Sequence, residues 1–142
     1  MGSWVRVRYI TAVAILDGVI YIGYWAFALN RLASLVIPDS VTYIGEGAFG
    51  YNMLTSTIIG SNVVSVGHIA FVRNQLTSIV IPSSVTYIGI WAFAENRLVN
   101  ISISSNVEIE PADILMDGFY DRFGTAFAPF YESLGEPINN FV

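Results

Sequence analysis

A motif that returns every 22 residues constrains this chain more than any other feature. Gly23, Gly45, Gly67 and Gly89 form one column. The pairs Ala26-Phe27, Ala48-Phe49, Ala70-Phe71 and Ala92-Phe93 form the next, followed by Asn30, Asn52, Asn74 and Asn96 and then by Leu32, Leu54, Leu76 and Leu98. A fixed period of this length marks stacked structural repeats, in which each unit buries the apolar face of its neighbour. The fold class expected is therefore an α/β solenoid of about four to five coils, stabilised mainly by contacts between adjacent coils.

Within each coil the segment Leu-x-x-Leu-x-Leu reads as a short strand with one buried face, because its last residues alternate. It recurs as Leu32, Leu35, Ile37; Leu54, Thr57, Ile59; Leu76, Ile79, Ile81; and Leu98, Ile101, Ile103, with Ile10, Val13, Ile15 as a weaker first copy. One strand per coil predicts five parallel strands in a single sheet, spaced about 4.8 Å apart. Pro38, Gly60, Pro82 and Ser104 share the position where the chain leaves the ladder, and all four suit an exit. The following Val-x-x-Ile/Val-Gly segment crosses to the other side and leaves room for a second short extended stretch. Its Gly column reads as a tight turn where a side chain would clash.

The Ala-Phe pair is expected on a single helical or 3₁₀ turn, with the Ala allowing close packing and the Phe pointing inward. Four Phe at one position per coil should stack into a spine, each burial worth about 1.5–3 kcal/mol. The Asn column reads as structural. An Asn at a fixed turn of every coil can satisfy backbone groups in the coils beside it, and buried backbone groups must be paired.

Composition narrows the function classes. The chain is 54% hydrophobic and only 12% charged, so a large share is buried or apolar surface is exposed. Its apolar runs are short and interrupted, so no transmembrane segment is expected. The N-terminal stretch does not read as a signal peptide, since Arg6 and Arg8 precede only the short run 10–16. There is no cysteine, which removes disulfides, thiolate metal sites and cysteine nucleophiles. Residues 1–106 carry four acids and five arginines, whereas residues 107–142 carry seven acids and only Arg122. With no basic face, nucleic-acid binding is not expected.

The organisation expected is a partial N-terminal coil over residues 1–9, a solenoid over 10–106 and a capping segment over 107–142. The capping segment drops the period and turns aromatic, with Phe119, Phe123, Phe127, Phe130, Tyr131 and Leu134 on one helical face. Gly124 and Pro129 divide it, so two short helices are predicted, near 111–117 and 126–134, covering the last coil.

The pattern Leu-x-x-Leu-x-Ile-Pro-x-Ser-Val-Thr-x-Ile-Gly-x-x-Ala-Phe-x-x-Asn, which residues 76–96 follow nearly position for position, resembles the BspA-like (treponemal-type) bacterial leucine-rich repeats. The resemblance covers roughly residues 10–110. It implies a right-handed solenoid with short turns or 3₁₀ helix on the convex side. It also implies an extracytoplasmic or cell-surface location and adhesion or binding to partner or host proteins. The Phe-x-x-Phe-Tyr run near the C-terminus is similar to the end of such proteins and supports a cap.

Several motifs invite chemistry. Gly45, Gly47 and Gly50 spell G-x-G-x-x-G, but the Gly47 position is Trp25, Ile69 and Trp91 in the other coils. The strand, long helix and βαβ unit of a dinucleotide site are missing, so no cofactor is expected. His68, the only histidine, occupies a variable slot with no evident nucleophile, and reads as a surface residue. Glu108, Glu110, Asp113, Asp117 and Asp121 are dense enough to raise a hard cation, yet no calcium-loop pattern is present, so no metal is expected. Asn100-Ile101-Ser102 fits a glycosylation sequon but falls in a predicted strand. No catalytic residues are expected, and the chain reads as non-enzymatic.

The remaining candidate is the strand face turned away from the core, expected to be concave. Ala12, Ser34, Ser56, Ser78 and Asn100 make one outward column, and Ala14, Val36, Ile58, Val80 and Ser102 the next. The second is an exposed β-branched stripe without charge, the kind of apolar patch that marks an interaction surface. Two functions fit: protein–protein recognition through that face, or self-assembly in which the stripe makes a homo-oligomer.

Overall fold

The computed structural model describes residues 8–109. Over this span the chain winds through about four turns of a parallel β-solenoid, with paired residues 22 positions apart in register except at its end, where Tyr87 and Ile88 pair with Glu108 and Ile109, 21 positions on. The period and the parallel stacking follow the sequence reading. The predicted helical cap, most of the partial first coil and the aromatic segment lie outside the described residues.

Each coil contributes two strands rather than one. The Leu-x-x-Leu-x-Leu segments supply β2 (Ser34–Val36), β4 (Ser56–Ile58), β6 (Ser78–Val80) and β8 (Asn100–Ser102). The crossing segments supply β1 (Tyr21–Ile22), β3 (Tyr43–Ile44), β5 (Ser65–Val66), β7 (Tyr87–Ile88) and β9 (Glu108–Ile109). The continuous five-stranded sheet is the one built by the crossing segments, ordered β1-β3-β5-β7-β9, while the expected sheet is divided into two pairs, β2-β4 and β6-β8. The crossing segment pairs because its backbone groups skirt a dry core and their nearest partners are the same residues one coil away. Thr42 and Gly45 donate to Ile20 and Ile22, and Val64 and Gly67 donate in turn to Thr42 and Ile44, all at 2.8–2.9 Å. The first copy, Ile10 to Leu16, forms no strand. Its side chains Val13 and Ile15 still lean on the core.

Between the sheets lies the core. Leu32, Leu54 and Leu76 are fully buried, as are Phe49 and Phe71. The Phe rings stack along the axis at 5.4, 5.4 and 5.2 Å from Phe27 to Phe93, which makes the expected spine. Each Asn ties its own coil to the one before it. Asn52 accepts from the Leu32 amide at 3.1 Å and donates to the carbonyls of Phe27, Phe49 and Gly50, and Asn74 and Asn96 repeat the arrangement one and two coils on.

The Gly column stands where the turns begin and where a side chain would clash, as expected, and the clash is with the coil before. None of Gly23, Gly45, Gly67 or Gly89 has a left-handed φ. A Cβ on Gly67 would lie 2.7 Å from the Glu46 nitrogen, and one on Gly45 would lie 2.7 Å from the Ile22 oxygen. Gly45, Gly67 and Gly89 let one coil's backbone press directly on the preceding coil.

The Ala-Phe segments are turns, and no helix forms among the described residues. Left-handed backbone appears twice per coil, at Trp25, Gly47, Ile69 and Trp91 and again at Leu29, Tyr51, Arg73 and Glu95. Apart from Gly47 these residues have φ between 47° and 59°, a conformation costing about 1–2 kcal/mol for an L-residue. The compensation lies between coils. Trp25, Phe27 and Leu29 donate their amides to the carbonyls of Glu46, Ala48 and Gly50 at 2.8–3.0 Å, and the next two coils repeat this. A helix would consume those N–H groups within the turn; the left-handed kinks leave them for the neighbouring coil.

Candidate interaction surface

The alternation of β2 and β6 turns Leu35 and Ile79 inward, each 3% exposed, and Val36 and Val80 outward. Because the pairing is parallel and in register, like positions stack. Ser34 lies beside Ser56 and Val36 beside Ile58, and Ser78 lies beside Asn100 and Val80 beside Ser102. Val36, Ile58 and Val80 are 58, 63 and 66% exposed, so three β-branched side chains stand in line on an uncharged face. Ser34, Ser56, Ser78, Asn100 and Ser102 are exposed beside them, as are Ala12 and Ala14 in the first copy, which is not a strand.

A third column on this face was not legible as part of the strand. Ala33, Thr55, Thr77 and Val99 precede the strands and are all exposed, and the Thr55 hydroxyl donates to the Ala33 carbonyl at 3.3 Å. One column further back stand Arg31, Met53, Gln75 and Arg97, which place two exposed arginines at one border of the stripe. At the opposite border Asp39 accepts from the Ser61 amide at 2.6 Å, and this bond holds its carboxyl below the usual carboxylate range. The stripe is thus apolar in the middle and polar at both borders.

The other sheet carries aromatics on its outer face. Tyr21 and Tyr43 stack at 4.9 Å with rings 4° from parallel. Burial, with Tyr24 beside it, pushes the Tyr43 phenol above its ordinary range. Trp25 lies across Gly47, where a Cβ would come within 2.7 Å of the indole, and its ring approaches Tyr51 at 6.4 Å. Arg73 sits over the Tyr51 ring at 5.3 Å and pairs with Glu95 at 2.6 Å.

The motifs set aside earlier have structural roles. In the G-x-G-x-x-G match, Gly45 admits the neighbouring backbone, Gly47 takes the left-handed turn under Trp25, and a Cβ on Gly50 would come 3.1 Å from the Val72 Cγ1. His68 is half-buried rather than a free surface residue. Its Nδ1 accepts the Ile90 amide at 3.0 Å, and its edge meets the Tyr87 ring at 6.4 Å. Among the described residues no three His, Cys, Asp or Glu gather closely enough to hold a metal ion. Of the acids once weighed as a cation site, Glu108 begins β9, and Glu110, Asp113, Asp117 and Asp121 lie outside the described residues.

No helix among the described residues is long and apolar enough to cross a membrane. No curated protein and no solved structure matches the chain. The family model for the BspA type leucine-rich repeat region, in 6 copies, matches residues 5–115, a span that contains all nine strands described, the Phe spine and the Asn ladder. On that match and on the coil that its columns build, the chain belongs to the family of BspA-type leucine-rich repeat proteins.

Proposed function

We propose that this protein is a non-catalytic recognition module that holds another protein against the face bearing Val36, Ile58 and Val80. The observation that carries the reading is the exposure of those three side chains at equivalent positions of successive coils, Val36 and Ile58 in paired register, with no charge among them. A soluble surface does not ordinarily align β-branched residues at 58 to 66% exposure without a partner to cover them. Ala14, Ser34, Ser56, Ser78, Asn100 and Ser102 complete the contact area, supplying small or hydrogen-bonding groups around the apolar line. The polar borders at Arg31, Arg97 and Asp39 suit the rim of a protein interface. Repeat modules of this family act in protein interaction, which favours recognition over catalysis. The family setting also supports a location on the bacterial surface or outside the cytoplasm, with adhesion as the biological role.

The second reading is self-assembly, with the same stripe covered by another copy of the chain. The two separate in one experiment. Sedimentation at tens of micromolar is compared for the wild type and for Val36→Glu, Ile58→Glu and Val80→Glu. A stable oligomer that the Glu variants dissolve makes the stripe a self-contact. A wild-type monomer removes the self-assembly reading, and capture of surface proteins by the wild type but not by the Glu variants then supports recognition. Equal capture by both would sink the assignment of this face.

A further inference from the structure

The face that carries the stripe is divided at one place. β2 pairs with β4 and β6 with β8, but β4 and β6 are adjacent and unpaired. On the flanking coils Ile37 donates to Ile58 and Ile81 to Ser102, while Thr55 donates to Ala33 and Val99 to Thr77, at 2.8–3.0 Å. The bonds expected at the division by the 22-residue shift, Ile59 to Val80 and Thr77 to Thr55, are not made. At the same place the core column changes character. Leu35, Ile79 and Ile101 occupy it in the other coils, and Thr57 occupies it here. The Thr57 Oγ1 is buried without a hydrogen-bond partner. Elsewhere the same two coils are joined as firmly as any. β3 and β5 pair, Phe49 and Phe71 stack at 5.4 Å, and Asn74 bridges the Phe49 and Phe71 carbonyls.

We propose that Thr57 creates a hydrated joint between the coil of β4 and the coil of β6, confined to the stripe face. A buried hydroxyl with no protein partner is costly, and unpaired strand groups beside it supply the two to four polar contacts that a water molecule needs. Water entering there competes with the ladder and keeps it open, while the five-stranded sheet on the opposite side acts as the hinge. The pair β2-β4 and the pair β6-β8 then move as two units. Ile58 and Val80 stand on opposite sides of the joint, so its opening sets the spacing of the two central apolar side chains of the stripe.

Amide hydrogen exchange on the chain alone tests this, independently of any partner. In the wild type the amides of Ile59 and Thr77 exchange at least about tenfold faster than those of Ile37, Ile81, Thr55 and Val99. Thr57→Leu, which restores the column's residue type, and Thr57→Val, which removes only the hydroxyl, slow Ile59 and Thr77 to the rates of their counterparts. The Gly67 amide, in the hinge sheet, keeps its protection in all three proteins. The joint is overturned if Ile59 and Thr77 are already as protected in the wild type as their counterparts. It is overturned equally if either variant leaves them fast while Gly67 remains protected. If the larger Leu disrupts packing, the near-isosteric Val variant decides.

Discussion

Asn74 donates its side-chain amide to the carbonyl oxygen of Phe49, 25 residues earlier, at 3.0 Å. The same Nδ2 reaches Phe71 and Val72, and its Oδ1 accepts the Leu54 amide at 2.9 Å. One buried side chain therefore satisfies backbone groups on both coils it touches. Asn74→Ala should cost about 3 kcal/mol, because several buried groups lose their partner together. Asn74→Asp should cost at least as much, since an oxygen replaces the donor. Asn30 is only half-buried and bonds fewer groups among the described residues. Asn30→Ala should therefore cost less than half as much. Urea denaturation of the three variants would order them.

The glycine column makes a second, internally controlled prediction. A Cβ on Gly67 meets the preceding coil's backbone at 2.7 Å, whereas one on Gly23 meets, among the described residues, nothing closer than the Tyr21 ring at 3.8 Å. Gly67→Ala should destabilise by about 2 kcal/mol or more through forced separation of the coils. Gly23→Ala should be neutral or slightly stabilising, as it restricts the unfolded chain without a clash. Equal losses from the two variants would mean that the column serves backbone conformation and not close approach.

Phe71 is fully buried, with a ring above it at 5.4 Å and one below at 5.2 Å. Phe71→Ala should cost about 3–5 kcal/mol. Ile58→Glu, on an exposed strand position, should change stability by no more than about 0.5 kcal/mol. Thermal unfolding of both tells the core of the coil from its surface, and the second result licenses Ile58→Glu as a probe of binding alone.

Asp39 supplies a pH dependence. The Ser61 amide and hydroxyl favour its ionised form, so its folded pKa lies below its unfolded value. The stabilisation is present above the unfolded pKa and is lost as pH falls through the folded one. The melting temperature should therefore decline on the acid side of the carboxylate range, and Asp39→Asn, which cannot ionise, should flatten that part of the profile by lowering the melting temperature at neutral pH rather than at acid pH. An unchanged acid limb in the variant would remove Asp39 as a contributor.

Much of this was legible in the sequence, and what was not has physical causes. The Leu, Phe and Asn columns announce their places because each position has one chemical requirement that every coil repeats. The outward placement of Val36, Ile58 and Val80 followed from alternation. The second strand of each coil was read too weakly, since a two-residue strand such as Tyr43–Ile44 is too short for alternation to register. The left-handed turns were invisible because Trp25, Ile69 and Glu95 are not residues that favour such a backbone. The break between β4 and β6 did have a signal, the lone Thr57 in an aliphatic column. Its effect on the ladder depends on neighbouring backbone groups that the pattern does not show.

The bonds of the Asn ladder and the surface hydroxyls join residues 20 to 25 positions apart. The chain's length is consequently quantised. Removing one whole period from a middle coil would leave each remaining donor facing an acceptor of the right kind. Removing a single residue would set every later coil out of step with the one before it. Duplication or loss of a coil would lengthen or shorten the row of outward side chains by one, at a fixed pitch, without redesigning the core.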